Sequence, residues 1–225
     1  MANTLLKLSR ASREVKNGNK KVTLLQDIDL TVKEGEFISL MGPSGSGKST
    51  LLNCIGMLDS FTDGGYIFLG DPVHSMKERD RSKLYKEYIG FVFQAYHLID
   101  ELTVYENIET PLLYKSVKSS ERKALVADML DRFNIVGKKD LFPIQLSGGQ
   151  QQLVGIARAL IGKPKLILAD EPTGNLNSKQ SEEIMELFAQ LNREGVTIIQ
   201  ATHSESNAAY GSRTINLLDG KIVSA

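Results

Sequence analysis

The stretch Gly42-Pro43-Ser44-Gly45-Ser46-Gly47-Lys48-Ser49 fits the pattern G-x-x-x-x-G-K-[ST] at every fixed position. Glycines at that spacing let a backbone wrap a chain of phosphates and turn its N–H groups inward. A helix beginning at Lys48 adds the partial positive charge of its N-terminus. Lys48 is then placed to reach the outer phosphates, Ser49 to offer its hydroxyl to magnesium, and Thr50 to complete the cradle. A second feature is the apolar run Leu166-Ile167-Leu168-Ala169, which ends in the carboxylates Asp170 and Glu171. Asp170, at a strand tip beside a phosphate loop, suits magnesium held through water. Glu171, one residue further, is placed to orient and deprotonate an attacking water.

The third feature is Leu146-Ser147-Gly148-Gly149-Gln150, ahead of a long helical pattern. Ser147 with Gln150 three residues on makes a capping box. The box does not account for two adjacent glycines, each costing about 1 kcal/mol in a helix relative to alanine. They are expected where something must come close to the backbone. A helix tip with a serine hydroxyl and bare N–H groups is an anion site. It would receive the terminal phosphate of a nucleotide held elsewhere.

These features need elements to hold them. Residues 1–35 alternate polar and apolar, as strands do, with Asn17-Gly18-Asn19 as a turn. Phe37–Met41 reads as a buried strand leading into the phosphate loop, followed by a helix from Lys48 to about Leu58. Gly65–Gly70 reads as another short strand. From about Met76 to Gly162 strand signals fade after Ile89–Phe93, and helices are expected over Val104–Tyr114, Ser120–Phe133 and Gly149–Ile161. Ser116–Ser119 and Gly137–Pro143 read as loops. Leu166–Ala169 and Val196–Ala201 are strands around a helix capped by Asn177 or Ser178 and running to about Arg193. Strands alternating with helices imply a largely parallel sheet.

The pentapeptide from Leu146 to Gln150, lying between the phosphate loop and the acidic strand, resembles the signature motif of ABC ATPases, and the resemblance covers essentially the whole chain. Gln94 after Gly90-Phe91-Val92-Phe93 is similar to the glutamine of the Q-loop, which in that family touches magnesium and couples to a transmembrane partner. His203 in Ala201-Thr202-His203 is similar to the switch histidine that contacts the γ-phosphate. The resemblance implies an α/β P-loop NTPase with a RecA-like, mostly parallel sheet, an antiparallel β subdomain and an inserted α-helical subdomain. Residues 1–75 and 163–225 would form the α/β core and β subdomain, and about 76–162 the Q-loop and helical subdomain. It implies ATP and Mg2+ as cofactors, ATP hydrolysis, and a head-to-tail homodimer, or a heterodimer with a related chain. In that pair the phosphate loop of one copy would meet Ser147, Gly148, Gly149 and Gln150 of the other.

Gly90–Gln94, Leu102–Ile108, Pro111–Tyr114 and Asp170–Leu176 together resemble the LolD, MacB and FtsE group, implying an integral membrane permease subunit of MacB/FtsX-like type as partner. Four positions depart from the family pattern. Val15 stands where an adenine-stacking aromatic is usual, Asn177 where the D-loop has aspartate, Leu153 for an arginine, and Ser204 for the acid after the switch histidine.

Composition narrows the class. Lysine plus arginine equals aspartate plus glutamate, 27 against 27, so no net charge draws the chain to nucleic acid, and none is expected as a partner. The lone Cys54 permits no internal disulfide and fits a reducing compartment. The N-terminal stretch has no apolar core of a signal peptide, and no run nears the ~20 apolar residues that span a bilayer. The expected location is cytoplasmic, peripheral on the inner face of the cell membrane. The readings set against this one are a soluble ABC-type ATPase acting on nucleic acid or ribosomes, and a weakly hydrolytic nucleotide sensor.

Overall fold

The structure, a computed structural model, describes residues 3–18, 20–115 and 117–224. Two sheets organise it. The first, in the order β2-β1-β4-β5, is antiparallel. It is built on a long hairpin of β1 (Thr4–Asn17) and β2 (Lys20–Lys33), joined by β4 (Asp63–Phe68) and β5 (Asp71–Pro72). Of the expected Asn17-Gly18-Asn19 turn, Gly18 has φ 61°, while Asn19 lies outside the described residues, as does Ser116 of the expected loop. Along β2 the apolar residues Leu25, Ile28, Leu30 and Val32 turn inward, where bulges shift the alternation by a residue.

The second sheet has the order β10-β9-β3-β8-β7-β6. Its members are β3 (Phe37–Met41), β6 (Ile89–Phe93), β7 (Leu166–Asp170), β8 (Thr197–Ala201), β9 (Arg213–Leu218) and β10 (Lys221–Ser224). All neighbours run parallel except the β9–β10 hairpin. Because strand side chains alternate, each parallel strand feeds two cores. Ile38, Leu40, Leu166, Leu168, Ile199 and Ala201 face the hairpin lobe and α1 (Lys48–Ile55). Phe37, Ile167, Ala169 and Ile198 face the other way, against α3 (Val104–Leu113), α4 (Ser119–Arg132), α5 (Gly148–Ile161) and α6 (Ser178–Arg193). The strands are apolar throughout because both faces are covered. No helix among the described residues is long and apolar enough to cross a membrane.

Several boundaries differ from expectation. Helix α1 stops at Ile55, not Leu58: Gly56 caps it, Met57 takes φ 61°, and the N–H groups of Leu58 and Asp59 both donate to the Asn53 carbonyl. The expected strand Gly65–Gly70 begins at Asp63 and ends at Phe68, because Leu69 and Gly70 form the left-handed turn into β5. Helix α2 (Glu78–Tyr88) was not expected, having no fully buried residue and so no apolar period to read. The β9–β10 hairpin and the short α7 (Glu205–Ala208) were also not expected. The hairpin did carry a signal: Asp219-Gly220, with φ 47° and 73°, is a turn dipeptide between apolar runs. Helix α3 opens on a capping box of Thr103 and Glu106, and α6 on the Asn177 side chain, which accepts from the Gln180 N–H at 3.0 Å.

Candidate active site

Parallel register brings the chemistry to one edge. Phe93, Asp170 and Ala201 lie side by side on β6, β7 and β8, and Ala201 pairs with Leu40 of β3. The residues that follow each strand, Gln94, Glu171, Thr202-His203 and the loop from Gly42, therefore emerge together at the carboxyl end of the sheet, where open α/β sheets bind ligands. A cavity of about 1030 Å³ lies there, lined by Ser44, Gly45, Gly47, Lys48, Ser49, Thr50, Gln94, Asp170, Glu171 and His203, with Val22, Leu24 and Gly220 at its margin.

The loop has the form of an anion cradle. Gly42 has φ 149°, and a Cβ there would sit 2.2 Å from the Leu217 carbonyl oxygen, so no other residue fits against β9. The Lys48 ammonium is curled back over the loop, donating to the carbonyls of Gly42 at 2.7 Å and Pro43 at 3.0 Å. Gly220 supports the loop from the β9–β10 turn: its N–H donates to the Ser46 carbonyl, and its own carbonyl accepts from Gln26. Helix α1 has neither a capping side chain nor an acidic residue in its first turn. Its first N–H groups face the cavity unclaimed, in contrast to α3, α5 and α6, which are capped by their own side chains. A phosphate fits that end. The Ser49 hydroxyl, the Asp170 carboxylate and the Gln94 amide put three oxygen-bearing groups in the same cavity, a hard donor set suited to Mg2+ beside phosphate oxygens. No group of three or more His, Cys, Asp or Glu that could hold a metal exists among the described residues.

Glu171 is held in an unusual backbone state, φ 46°. Its N–H donates to the Ala201 carbonyl, its carbonyl accepts from Gly174, and its Oε1 lies 2.9 Å from His203 Nδ1. Glu171 and His203 thus stand as a pair on adjacent strand ends, aimed into the cavity.

The signature segment lies elsewhere. None of Leu146–Gln150 lines the phosphate cavity. Ser147 caps α5 as expected, its Oγ accepting from the Gln150 N–H while Gln150 Oε1 accepts from the Ser147 N–H. Both glycines have close neighbours inside this chain, though these are the ends of flexible side chains. A Cβ on Gly148 would lie 2.7 Å from Tyr96 Oη, and one on Gly149 2.8 Å from Gln180 Nε2. Side chains of Tyr96 and Gln180 lie against the backbone where a close approach was expected.

The four departures find places. Asn177 caps α6, a task aspartate would do equally. Leu153 packs against the helical-side core. Ser204 caps α7 through the Asn207 N–H. Val15 pairs across the hairpin with Val22; it lines a neighbouring cavity of about 720 Å³, and Val22 reaches the phosphate one.

Sequence reasoning passed over residues that hold this site from behind. Arg158 of α5 donates to the carbonyls of His97 at 2.6 Å and Tyr96 at 3.0 Å, both left-handed residues of the Q-loop. Burial lowers its pKa, yet an arginine stays charged. Gln152, fully buried, donates to the carbonyl of Pro172, next to Glu171. Asn207 donates to Thr173 Oγ1 and its carbonyl accepts from the buried Gln200. A buried polar residue on an otherwise apolar helix face was the only signal for Gln152.

Comparison with known proteins agrees with this geometry. The family profile described as ABC transporter matches residues 25–174. An uncharacterised ABC transporter ATP-binding protein, YvrO of Bacillus subtilis, is 45% identical over 221 residues, covering 97% of this chain and 96% of that protein. The macrolide export ATP-binding/permease protein MacB of Bradyrhizobium diazoefficiens is 43% identical over 224 residues, and the chain spans only 34% of its length. A dimeric ATP-binding cassette, MJ0796, solved in a post-hydrolysis state with ADP and Pi, superposes with a TM-score of 0.90 at 41% identity over 97% of each chain. Profile, relatives and superposition agree: the chain belongs to the ABC transporter ATP-binding family.

Proposed function

We propose that this chain is the ATP-hydrolysing subunit of a membrane transporter or mechanotransmission complex, working as a pair of copies. One observation carries the reading. Phosphate loop, Asp170, Glu171, Gln94 and His203 share one cavity, while the Ser147 tip stands outside it. A tip that lies outside its own chain's cavity is placed to close over a neighbour's. The dimeric state of the cassette with TM-score 0.90 supports that arrangement.

In this reading Lys48 and the loop N–H groups grip the triphosphate, and Val22 with Leu24 offers the apolar margin toward the base. Ser49, Asp170 and Gln94 would hold Mg2+, which neutralises charge on the outer phosphates. Glu171 orients the attacking water and accepts its proton, and His203 contacts the γ-phosphate from the next strand end. The partner's Ser147, Gly148, Gly149 and Gln150 would complete the pocket on binding. Residues 76–162 would form the unit that carries the Q-loop and signature, moving against the core.

The fusion of a matching cassette to a permease in MacB supports a membrane partner. We assign that partner to an integral membrane permease of MacB/FtsX-like type, with this chain peripheral on the cytoplasmic face. The testing variant is Glu171→Gln. It should bind ATP, accumulate as a closed dimer in gel filtration, and lose turnover ~10²–10⁴-fold, the usual worth of a positioned base. Turnover equal to the parent's would remove Glu171 from the role of base.

A further inference from the structure

The Q-loop glutamine is gripped by a residue from the other side of the site. Gln94 Nε2 donates to Asn175 Oδ1 at 3.2 Å, and Asn175 Nδ2 donates back to the Gln94 backbone carbonyl at 2.9 Å. The seat beneath is shaped for this. A Cβ on Gly174 would lie 2.6 Å from Gln94 Nε2 and 2.9 Å from its Cδ, so only glycine lets the amide lie against this turn. The turn itself is closed by the Gly174 N–H donating to the Glu171 carbonyl, which ties the seat to the carboxylate pair.

A side-chain amide has two chemically opposite ends. Its oxygen can ligate a cation and its NH2 group cannot. With Nε2 committed to Asn175, Oε1 is the end left toward the cavity of Ser49 and Asp170. We propose that Asn175 is a positioning residue that fixes the Gln94 amide with its oxygen toward the cation, at once linking the Q-loop to the segment after Glu171. The proposal rests on the reading of Gln94 as a magnesium contact. Asn175 itself touches neither nucleotide nor cation in this scheme; it acts through Gln94. Both side chains are exposed, so replacing either leaves the core intact.

The two hydrogen bonds separate by substitution. Asn175→Asp keeps the acceptor for Nε2, replaces the donor to the Gln94 carbonyl by a second oxygen and adds a negative charge. Asn175→Ala loses both and lets the amide turn over. The probe is Mn2+ in the presence of a non-hydrolysable ATP analogue, its dissociation constant read by electron paramagnetic resonance, with melting temperature measured alongside. Asn175→Ala should weaken Mn2+ binding about three- to five-fold, the worth of one neutral hydrogen bond. Asn175→Asp, which keeps the acceptor and adds a negative charge, should bind Mn2+ at least as tightly as the parent, and in Asn175→Ala nucleotide affinity without the metal should not move. In a Gln94→Ala background, Asn175→Ala should have no further effect on Mn2+.

The outcomes are distinct. If Gln94→Ala leaves Mn2+ affinity unchanged, Gln94 is no cation contact and the proposal falls with that reading. If Gln94→Ala weakens it while Asn175→Ala does not, or the Asn175→Ala effect persists in the Gln94→Ala background, Gln94 keeps its role and the orienting role of Asn175 is overturned.

Discussion

The phosphate loop and the signature tip are both helix N-termini, and the chain treats them in opposite ways. At α1 the first turn is uncapped, glycine-lined and open to a cavity. At α5 it is closed by a reciprocal capping box and packed against Tyr96 and Gln180. The first opens on a cavity lined by its own chain alone. The second is a rigid face that becomes a site only when something is brought to it. Rigidity there has a source: Arg158 and Gln152 lash α5 to the Q-loop and to the Pro172 carbonyl. These bonds join α5 both to the segment after Gln94 and to the residue that follows Glu171.

The largest expected effect tests whether the two termini serve one pocket from two chains. Lys48→Ala and Ser147→Arg should each abolish turnover alone. Mixed, they should recover activity, because one of the two composite pockets in the heterodimer is then intact; a phosphate-release assay on the mixture decides. No recovery would mean that loop and tip do not act across a dimer.

Next comes the lashing of α5. Arg158→Met removes two charge-assisted hydrogen bonds and leaves two carbonyls short of a donor, a cost of about 2–3 kcal/mol. For a chain of this size that lowers Tm by roughly 5–10 °C in a thermal melt. Arg158→Lys, reaching one carbonyl at best, should fall between. An unchanged Tm in Arg158→Met would show the tip to be held by other contacts.

A smaller gain is expected at the base end of the open terminus. Val15→Tyr supplies an aromatic face beside Val22, and stacking is worth about 1–3 kcal/mol per base. Fluorescent-nucleotide titration should show at least about five-fold tighter binding; none would place the base away from the hairpin. Smallest of all, Asn177→Asp should leave stability in a denaturant melt within about 0.5 kcal/mol of the parent, since the acceptor that caps α6 survives. Cys54 gives a control on all of these. Burial pushes its thiol up to about 12, so it should resist alkylation at pH 8 in the folded chain and react once unfolded.

Local patterns carried a large part of this protein. The phosphate loop, the acidic strand end, the capping box of α5 and the apolar strands are each written in a few adjacent residues, because hydrogen bonds and phosphate contacts there are made by neighbours in sequence. Helix α2, without a buried residue, had no apolar period and stayed hidden, while the hairpin whose Gly220 braces Ser46 from 174 positions along the chain carried a turn signal that went unread. The glycines of the signature could be read as demanding a close approach, but not by what. Only the folded chain supplies Tyr96 and Gln180, because steric partners are chosen by packing and not by spacing. The same holds for Asn175 and Gln94, which lie 81 residues apart and meet because register on β6 and β7 sets their strand ends side by side. The sequence by itself determined which groups could hold phosphate and move a proton. The tertiary structure decided which of them face one cavity and which face outward, since side-chain direction follows from sheet register and helix placement that no local run of residues encodes.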